Sequence, residues 1–264
     1  EGLFKRQKSY SDLSAIRVRE GDAVKWLFPS RTTESLILFT DRGRAYTVRV
    51  HDIPQTTGYG EHLQTRFEFS DGETVVGAIT TDPRCLPEVS LLEEAEPLDT
   101  LIEEGAEEGN EPAEAAEGET EATDPKPQQK VPLLLGITRG GRCLRFDLSP
   151  YAERSTVNGR RYMKLNSKVK DDAVVRVLIS SGDEIVSLAS RQGRCLLFPV
   201  NQVNYLASAG MGVMAIKLSP RDSVIGFALS SHRMEGLEVE TSRGRREVLR
   251  PNKFKVTKRG GKGR

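Results

Sequence analysis

Four stretches of this chain join an apolar-rich run to an alternating one through a short polar turn. They read Leu36-Ile-Leu-Phe-Thr-Asp-Arg-Gly-Arg44, Leu135-Gly-Ile-Thr-Arg-Gly-Gly-Arg142, Val186-Ser-Leu-Ala-Ser-Arg-Gln-Gly-Arg194 and Leu237-Glu-Val-Glu-Thr-Ser-Arg-Gly-Arg245. Each turn is Thr or Ser, two residues, Gly, then Arg. Glycine supplies the positive φ that a tight hairpin needs, and β-branched and aromatic flanks such as Arg44-Ala-Tyr-Thr-Val-Arg-Val50 suit strands. Four β-hairpins are therefore predicted. Phe39, Tyr46, Phe146, Phe198 and Phe227 fall within the strand patterns and are expected in the core.

The hairpins recur with a period. Thr40, Thr138, Ser190 and Thr241 are 98, 52 and 51 residues apart, and removing the 45 residues of segment 86–130 reduces the first spacing to 53. A second pattern keeps phase with the first: an acid two residues before a valine opens an apolar run at Asp22-Ala-Val24, Glu73-Thr-Val75, Asp172-Ala-Val174 and Asp222-Ser-Val224. Gly2-Leu-Phe-Lys-Arg6 matches the downstream half of a further hairpin. Five units result, the first without its opening strand and the last without its closing segment. Outside 86–130 nothing keeps a helical period for three turns. Four-stranded units of this length cannot bury their faces alone, so an all-β, propeller-like disc of stacked blades is expected.

Charge sharpens the picture. The formal total is +1, yet residues 86–130 hold fifteen acids, from Glu88 to Asp124, against Lys126 and Lys130. That segment carries −13 and the rest of the chain +14. The acidic stretch lacks the apolar surface to offset ordering entropy and reads as a disordered insert between blades, 1–85 before it and 131–264 after it. It is either an inert linker or a competitor for the basic surface. The basic remainder points to nucleic acid. No apolar run is long enough for a transmembrane helix, and the N-terminus does not read as a signal peptide. Cys85, Cys143 and Cys195 form no C-x-x-C pair, and with only three histidines no zinc spacing can be assembled. Unpaired cysteines fit a cytoplasmic setting, with Cys143 and Cys195 as buried small apolar groups. No phosphate loop, nucleophile elbow or cofactor motif is present, and Asp41 and Asp147 read as acids satisfying local backbone groups.

At the C-terminus stands Thr257-Lys-Arg-Gly-Gly-Lys-Gly-Arg264, thirteen residues after the hairpin glycine Gly244. With the Thr-x-x-Gly hairpins and the opening Gly2-Leu-Phe-Lys-Arg6, it resembles the C-terminal domain of the DNA gyrase A chain, together with its topoisomerase IV counterpart. That family carries a Gln-Arg-Arg-Gly-Gly-Arg-Gly box. Here Thr257 replaces the glutamine, and the box lies in the last unit rather than the first, where Ala15-Ile-Arg-Val18 has no glycine pair. Ala207-Ser-Ala-Gly-Met-Gly212 is a worn copy. The resemblance implies a β-pinwheel, a propeller-like disc whose blades exchange strands, wrapping duplex DNA on a basic rim. It implies no catalytic residue, metal or cofactor here. The cleavage and ATPase machinery would lie in the B subunit of the topoisomerase and in the rest of the A subunit, which are the implied protein partners.

The candidate DNA contacts follow. Arg44, Arg142, Arg194 and Arg245 share one place per unit, and guanidinium groups bind phosphate bidentately. They are either a phosphate-binding circle or ordinary solvated turn residues. In the box, Gly260, Gly261 and Gly263 allow close backbone approach while Lys258, Arg259, Lys262 and Arg264 supply charge. Lys5, Arg6 and Lys8 extend the path in the first unit, and Arg154, Arg160 and Arg161 in the third. A propeller used as a protein-interaction scaffold is the rival reading, but a scaffold needs neither +14 nor a glycine-rich cationic box.

Overall fold

The computed structural model describes residues 2–9, 12–87 and 133–264. The acidic segment from Glu88 onward lies outside the described residues, and so does the expectation that it is disordered. Fifteen strands run along the described chain: β1 (Leu3–Phe4), β2 (Ser35–Thr40), β3 (Arg44–Arg49), β4 (Glu61–His62), β5 (Val75–Thr80), β6 (Leu133–Thr138), β7 (Arg142–Asp147), β8 (Arg160–Arg161), β9 (Val174–Ser180), β10 (Ile185–Ser190), β11 (Cys195–Pro199), β12 (Val213–Met214), β13 (Val224–Ser230), β14 (Leu237–Glu240) and β15 (Arg246–Leu249). Short 3-10 turns are the only helical elements among the described residues.

The strands form five sheets with orders β1-β4, β5-β2-β3-β8, β12-β7-β6-β9, β11-β10-β13 and β14-β15. All four hairpins expected from the sequence are present: β2–β3, β6–β7, β10–β11 and β14–β15, each antiparallel. The turns share one construction. Gly43, Gly141, Gly193 and Gly244 donate N–H to the carbonyls of Thr40, Thr138, Ser190 and Thr241 at 2.8–3.1 Å. All four glycines have φ between 74° and 81°, a region other residues reach only with strain.

Strand exchange appears in the fourth strand of each four-stranded sheet. β8 follows β7 in sequence yet pairs with β3, Arg44 opposite Arg161 and Ala45 opposite Arg160. β12 follows β11 yet pairs with β7, Arg142 opposite Met214 and Cys143 opposite Val213. β4 pairs with β1 in the same way. Each of these units thus closes the sheet of its predecessor, the defining feature of a β-pinwheel.

The cores lie between sheets. Ile37 and Phe39 of β2 pack with Leu134, Leu144, Phe146 and Val177 of the third sheet, whereas Leu38 packs with Tyr46, Ile53, Leu63 and Phe67. Successive strand residues face opposite sides, and here both sides are covered, so β2 reads as a continuous apolar run. Leu135 and Ile137 of β6 similarly join Val186, Leu188 and Phe198 of the fourth sheet. The five expected core aromatics are all buried.

The second repeated pattern has a physical cause. Val75, Val174 and Val224 open the outer strands and pair with Thr40, Thr138 and Ser190. The acid two residues earlier then reaches the hairpin turn. The Thr40 hydroxyl donates to Glu73 (2.5 Å) and that of Ser190 to Asp222 (2.8 Å), while the Gly140 N–H donates to Asp172 (2.8 Å). Asp22 and Val24 depart from expectation: residues 22–31 enter no strand. The pattern calls for a partner strand ahead of the Gly2 hairpin half, and none of the described strands takes that place. Val24 (46%), Trp26 (36%) and Leu27 (42%) are left exposed.

Candidate nucleic-acid interface

The exchanged strands meet their hosts through one glycine each. Gly60, Gly159, Gly212 and Gly263 all have positive φ, from 65° to 99°. A Cβ on them would lie 2.5, 2.8, 2.1 and 2.8 Å from the carbonyl oxygens of Phe4, Ala45, Cys143 and Cys195, residues at the same place in four sheets. Only glycine allows this approach. The terminal box is therefore the incoming segment of the fourth sheet. Thr257 N–H donates to Leu197 O (2.8 Å), and Arg264 and Cys195 exchange two backbone bonds at 2.8 and 2.9 Å. Gly260 N–H bonds Ala215 O and Gly261 O accepts from Lys217 N–H, both at 2.8 Å. The counterpart after Gly43 is Gly58-Tyr59-Gly60-Glu61, hidden from sequence reasoning because only its glycines match the box.

The box cations divide accordingly. Arg259 is turned inward, its Nε donating to Gln202 O (2.9 Å) and its Nη1 to Met214 O (2.5 Å), with Gln202 Oε1 accepting its backbone N–H. Lys258, Lys262 and Arg264 are exposed. The glycine-rich backbone is consumed by sheet closure, while three cations stay in solvent.

The registered arginines are half-engaged. Arg44 Nη1 donates to Asn158 O (2.8 Å), Arg142 Nη1 to Gly212 O (3.2 Å) and Arg194 Nη1 to Lys262 O (3.1 Å). Each accepting carbonyl belongs to the incoming strand, at or just before its glycine. These three guanidinium groups clamp exchanged strands and keep further N–H groups available. Arg245 sits on the hairpin that has no incoming strand among the described residues and is exposed.

In the first unit, Lys5 Nζ donates to Gly58 O (2.6 Å) and Arg17 O (3.1 Å). Burial, with the Arg17 charge beside it, lowers the Lys5 pKa from its ordinary value. Arg6 Nε donates to Ile53 O (2.8 Å), the contact Arg145 Nε makes with Val203 O (2.6 Å) two sheets later. Arg6 is a strut under the 3-10 turn of the next unit. Arg160 Nη1 donates to Pro150 O, while Lys8, Arg154 and Arg161 are exposed. Arg17 and Arg19 lie over the Tyr59 ring at 5.4 and 5.9 Å, a cationic and aromatic grouping that sequence spacing gave no means to find.

Cys143 is buried, and burial pushes its thiol up to about 12. Cys195 is only half-buried, because it borders the terminal strand rather than a full sheet neighbour. Asp41 satisfies the Thr74 N–H (3.0 Å) as expected, whereas Asp147 accepts from the Tyr205 hydroxyl (2.8 Å) of the following unit. Among the described residues no His, Cys, Asp and Glu cluster could hold a metal, and no helix is long and apolar enough to cross a membrane.

Antiparallel sheets closed by their successors' strands, with an arginine holding the incoming segment in three of them, define a β-pinwheel of the kind that ends the A chains of type II topoisomerases. The family described as "DNA gyrase C-terminal domain, beta-propeller" matches 34–82, 132–181 and 182–231, more than half of the chain, and the chain belongs to it. Each matched stretch is one hairpin plus its valine-led outer strand. The DNA gyrase A chain of Dehalogenimonas lykanthroporepellens is 27% identical over 214 residues, 81% of this chain and 21% of that protein. Its Staphylococcus aureus counterpart is 24% identical over 252 residues, 95% of this chain and 23% of that protein. The chain thus spans about a fifth of the length of the curated relatives it matches. Among solved structures, the C-terminal domain of DNA topoisomerase IV superposes with a TM-score of 0.72 at 19% identity, covering 99% of this chain and 68% of that one. The E. coli ParC C-terminal domain gives 0.67 at 15% identity, covering 100% and 89%. These likenesses show the shared fold.

Proposed function

We propose that this chain is the duplex-DNA-binding and DNA-bending domain of the A subunit of a bacterial type II topoisomerase, gyrase in particular. In this reading residues 1–85 and 131–264 form one pinwheel interrupted by the acidic segment 86–130. The domain makes and breaks no bonds by itself. Its partners are double-stranded DNA, the B subunit of the topoisomerase, plus the rest of the A subunit, in the bacterial cytoplasm.

One observation carries the reading: the box spends its backbone on closing a sheet while Lys258, Lys262 and Arg264 stay exposed, in a chain with +14 outside its acidic segment. Further cations recur once per hairpin, as Arg44, Arg142, Arg194 and Arg245, and the first three retain N–H groups beyond the one bonded to the incoming strand. Gly260, Gly261 and Gly263 hold those box cations in place, and Lys5 and Arg6 extend the cationic track at its start. Contacts spread over several sheets favour phosphate binding without sequence preference. Bending a 20–30 base-pair site by tens of degrees costs about 1–6 kcal/mol, which released counterions must exceed. The displaced box favours topoisomerase IV as the second reading, because gyrase-type domains carry it in the first unit.

Duplex affinity measured across salt tests the proposal. A steep loss of affinity with added salt is expected, and an affinity indifferent to salt would overturn it. Ligating a nicked plasmid with the chain bound then separates the readings. A positive linking change supports gyrase-type wrapping, and no change supports simple tethering of DNA.

A further inference from the structure

The hairpin turns carry a second set of arginines that the clamps do not include. Between the Thr or Ser and the glycine each turn has two tip residues: Asp41 and Arg42, Arg139 and Gly140, Arg191 and Gln192, Ser242 and Arg243. Every tip holds one arginine. Arg42, Arg139, Arg191 and Arg243 are all exposed, and none of their guanidinium groups has a hydrogen bond or ion pair among the described residues. The contrast with the position after the glycine is chemical. There, three of four arginines already spend Nη1 on a carbonyl of the incoming strand.

The tips are also rigidly mounted. The first tip residue of three turns donates its N–H to the residue before the outer strand of its own sheet: Asp41 to Thr74 O (2.9 Å), Arg139 to Ala173 O (2.8 Å) and Arg191 to Ser223 O (2.8 Å). Two of them also accept from the next sheet, Asp41 O from Val174 N–H (2.8 Å) and Arg139 O from Val224 N–H (2.9 Å). The first two tips are thus pinned between two blades, and the only acid at any tip, Asp41, is held by the Thr74 N–H. The result is an unpaired guanidinium at every hairpin tip, on a fixed backbone in the first three. Such a group loses little backbone entropy on meeting an anion, and its planar fork suits phosphate oxygens.

We infer that Arg42, Arg139, Arg191 and Arg243 are the principal phosphate ligands of this domain, and that Arg44, Arg142 and Arg194 act chiefly as positioning residues that hold the exchanged strands. The inference rests on the DNA-binding reading above and names the side chains that carry it. It fits duplex backbone phosphates, because one cation per hairpin offers repeated point contacts.

The test is the salt slope of duplex binding by the whole chain. Each phosphate neutralised contributes about 0.9 to the slope of log K against log salt. R42Q/R139Q/R191Q/R243Q should lower that slope by about 3 to 4 and weaken binding at least about tenfold at low salt, with an unchanged urea midpoint. The corresponding lysine variant should restore the slope. R44Q/R142Q/R194Q should lower the urea midpoint and shift the slope by less than the tip variant does. A tip variant with the parent's slope overturns the inference and leaves DNA binding standing. Salt-independent binding by the unaltered chain overturns the DNA-binding reading itself.

Discussion

The second sheet and the fifth start from the same hairpin and end in different states. In both, a Thr-x-x-Gly turn is closed by a glycine N–H and keeps its Thr hydroxyl beside the residue after the glycine: Thr40 Oγ1, whose proton goes to Glu73, lies 3.2 Å from Arg44 O, and Arg245 N–H donates to Thr241 Oγ1 (3.1 Å). In the second sheet the Gly43 carbonyl then accepts from Tyr162 and Met163 of the incoming segment, at 2.9 and 3.2 Å. Glu73 caps the turn, and both faces of β2 are covered. Among the described residues the fifth sheet has neither an incoming strand nor a capping acid. Its strand Leu-Glu-Val-Glu alternates, and Leu237, Val239 and Leu249 pack against the fourth sheet while Glu238 and Glu240 face solvent. The turn chemistry is local and survives alone. The rigidity of the central blades comes from the strand that the next unit lends.

Substitutions at matched positions can break this comparison. The largest difference belongs to the hairpin glycines. Gly43 and Gly244 have nearly the same φ, 74° and 75°, but a Cβ at Gly43 would sit 2.2 Å from Met163 O, whereas one at Gly244 meets nothing within 4 Å. Gly244→Ala should cost only the left-handed strain of a non-glycine residue, about 1 kcal/mol. Gly43→Ala adds a backbone clash and should cost about 3 kcal/mol. Urea unfolding of the two variants measures both. Equal costs would mean that the incoming strand adds no constraint.

Next in size is the capping hydroxyl. Thr40→Val leaves a buried Glu73 carboxylate without its 2.5 Å donor and should cost about 1–3 kcal/mol. Thr241→Val, on the exposed turn with no acid above it, should stay within about 0.5 kcal/mol. The same unfolding midpoints decide it, and a Thr241 effect as large as that of Thr40 would place the stabilisation in the turn alone.

Much of this was legible because it is local. Hairpins announce themselves through Thr-x-x-Gly, and the acid-x-Val pattern recurs in phase because its carboxylate must reach the turn one strand away. Strand exchange was harder to read. β4, β8 and β12 are two residues long, too short for any periodicity, and their shared requirement is a single glycine amid unlike neighbours: Tyr59-Gly60-Glu61, Asn158-Gly159-Arg160, Met211-Gly212-Val213. Val24 misled in the opposite direction. Its pattern is intact, but a strand forms only where an edge awaits it. Composition also could not distinguish a clamping arginine from a free one, since both are arginines beside the same turn, separated by little more than one glycine.

That distinction gives the smallest and most pointed comparison. Arg142 and Arg245 occupy one place in two hairpins. Arg142 is half-buried and donates to Gly212 O at 3.2 Å, while Arg245 is exposed on a hairpin with no incoming strand among the described residues. Arg142→Ala should therefore cost about 1 kcal/mol, the net worth of one hydrogen bond plus some lost packing of its stem. Arg245→Ala should lie within about 0.5 kcal/mol. Hydrogen exchange locates the effect. Arg142→Ala should raise exchange at the amide of Ala215, which bonds the Gly141 carbonyl at 2.7 Å, before it affects the β6–β7 ladder. If the ladder opens first, the arginine supports its own hairpin and the clamp assignment fails.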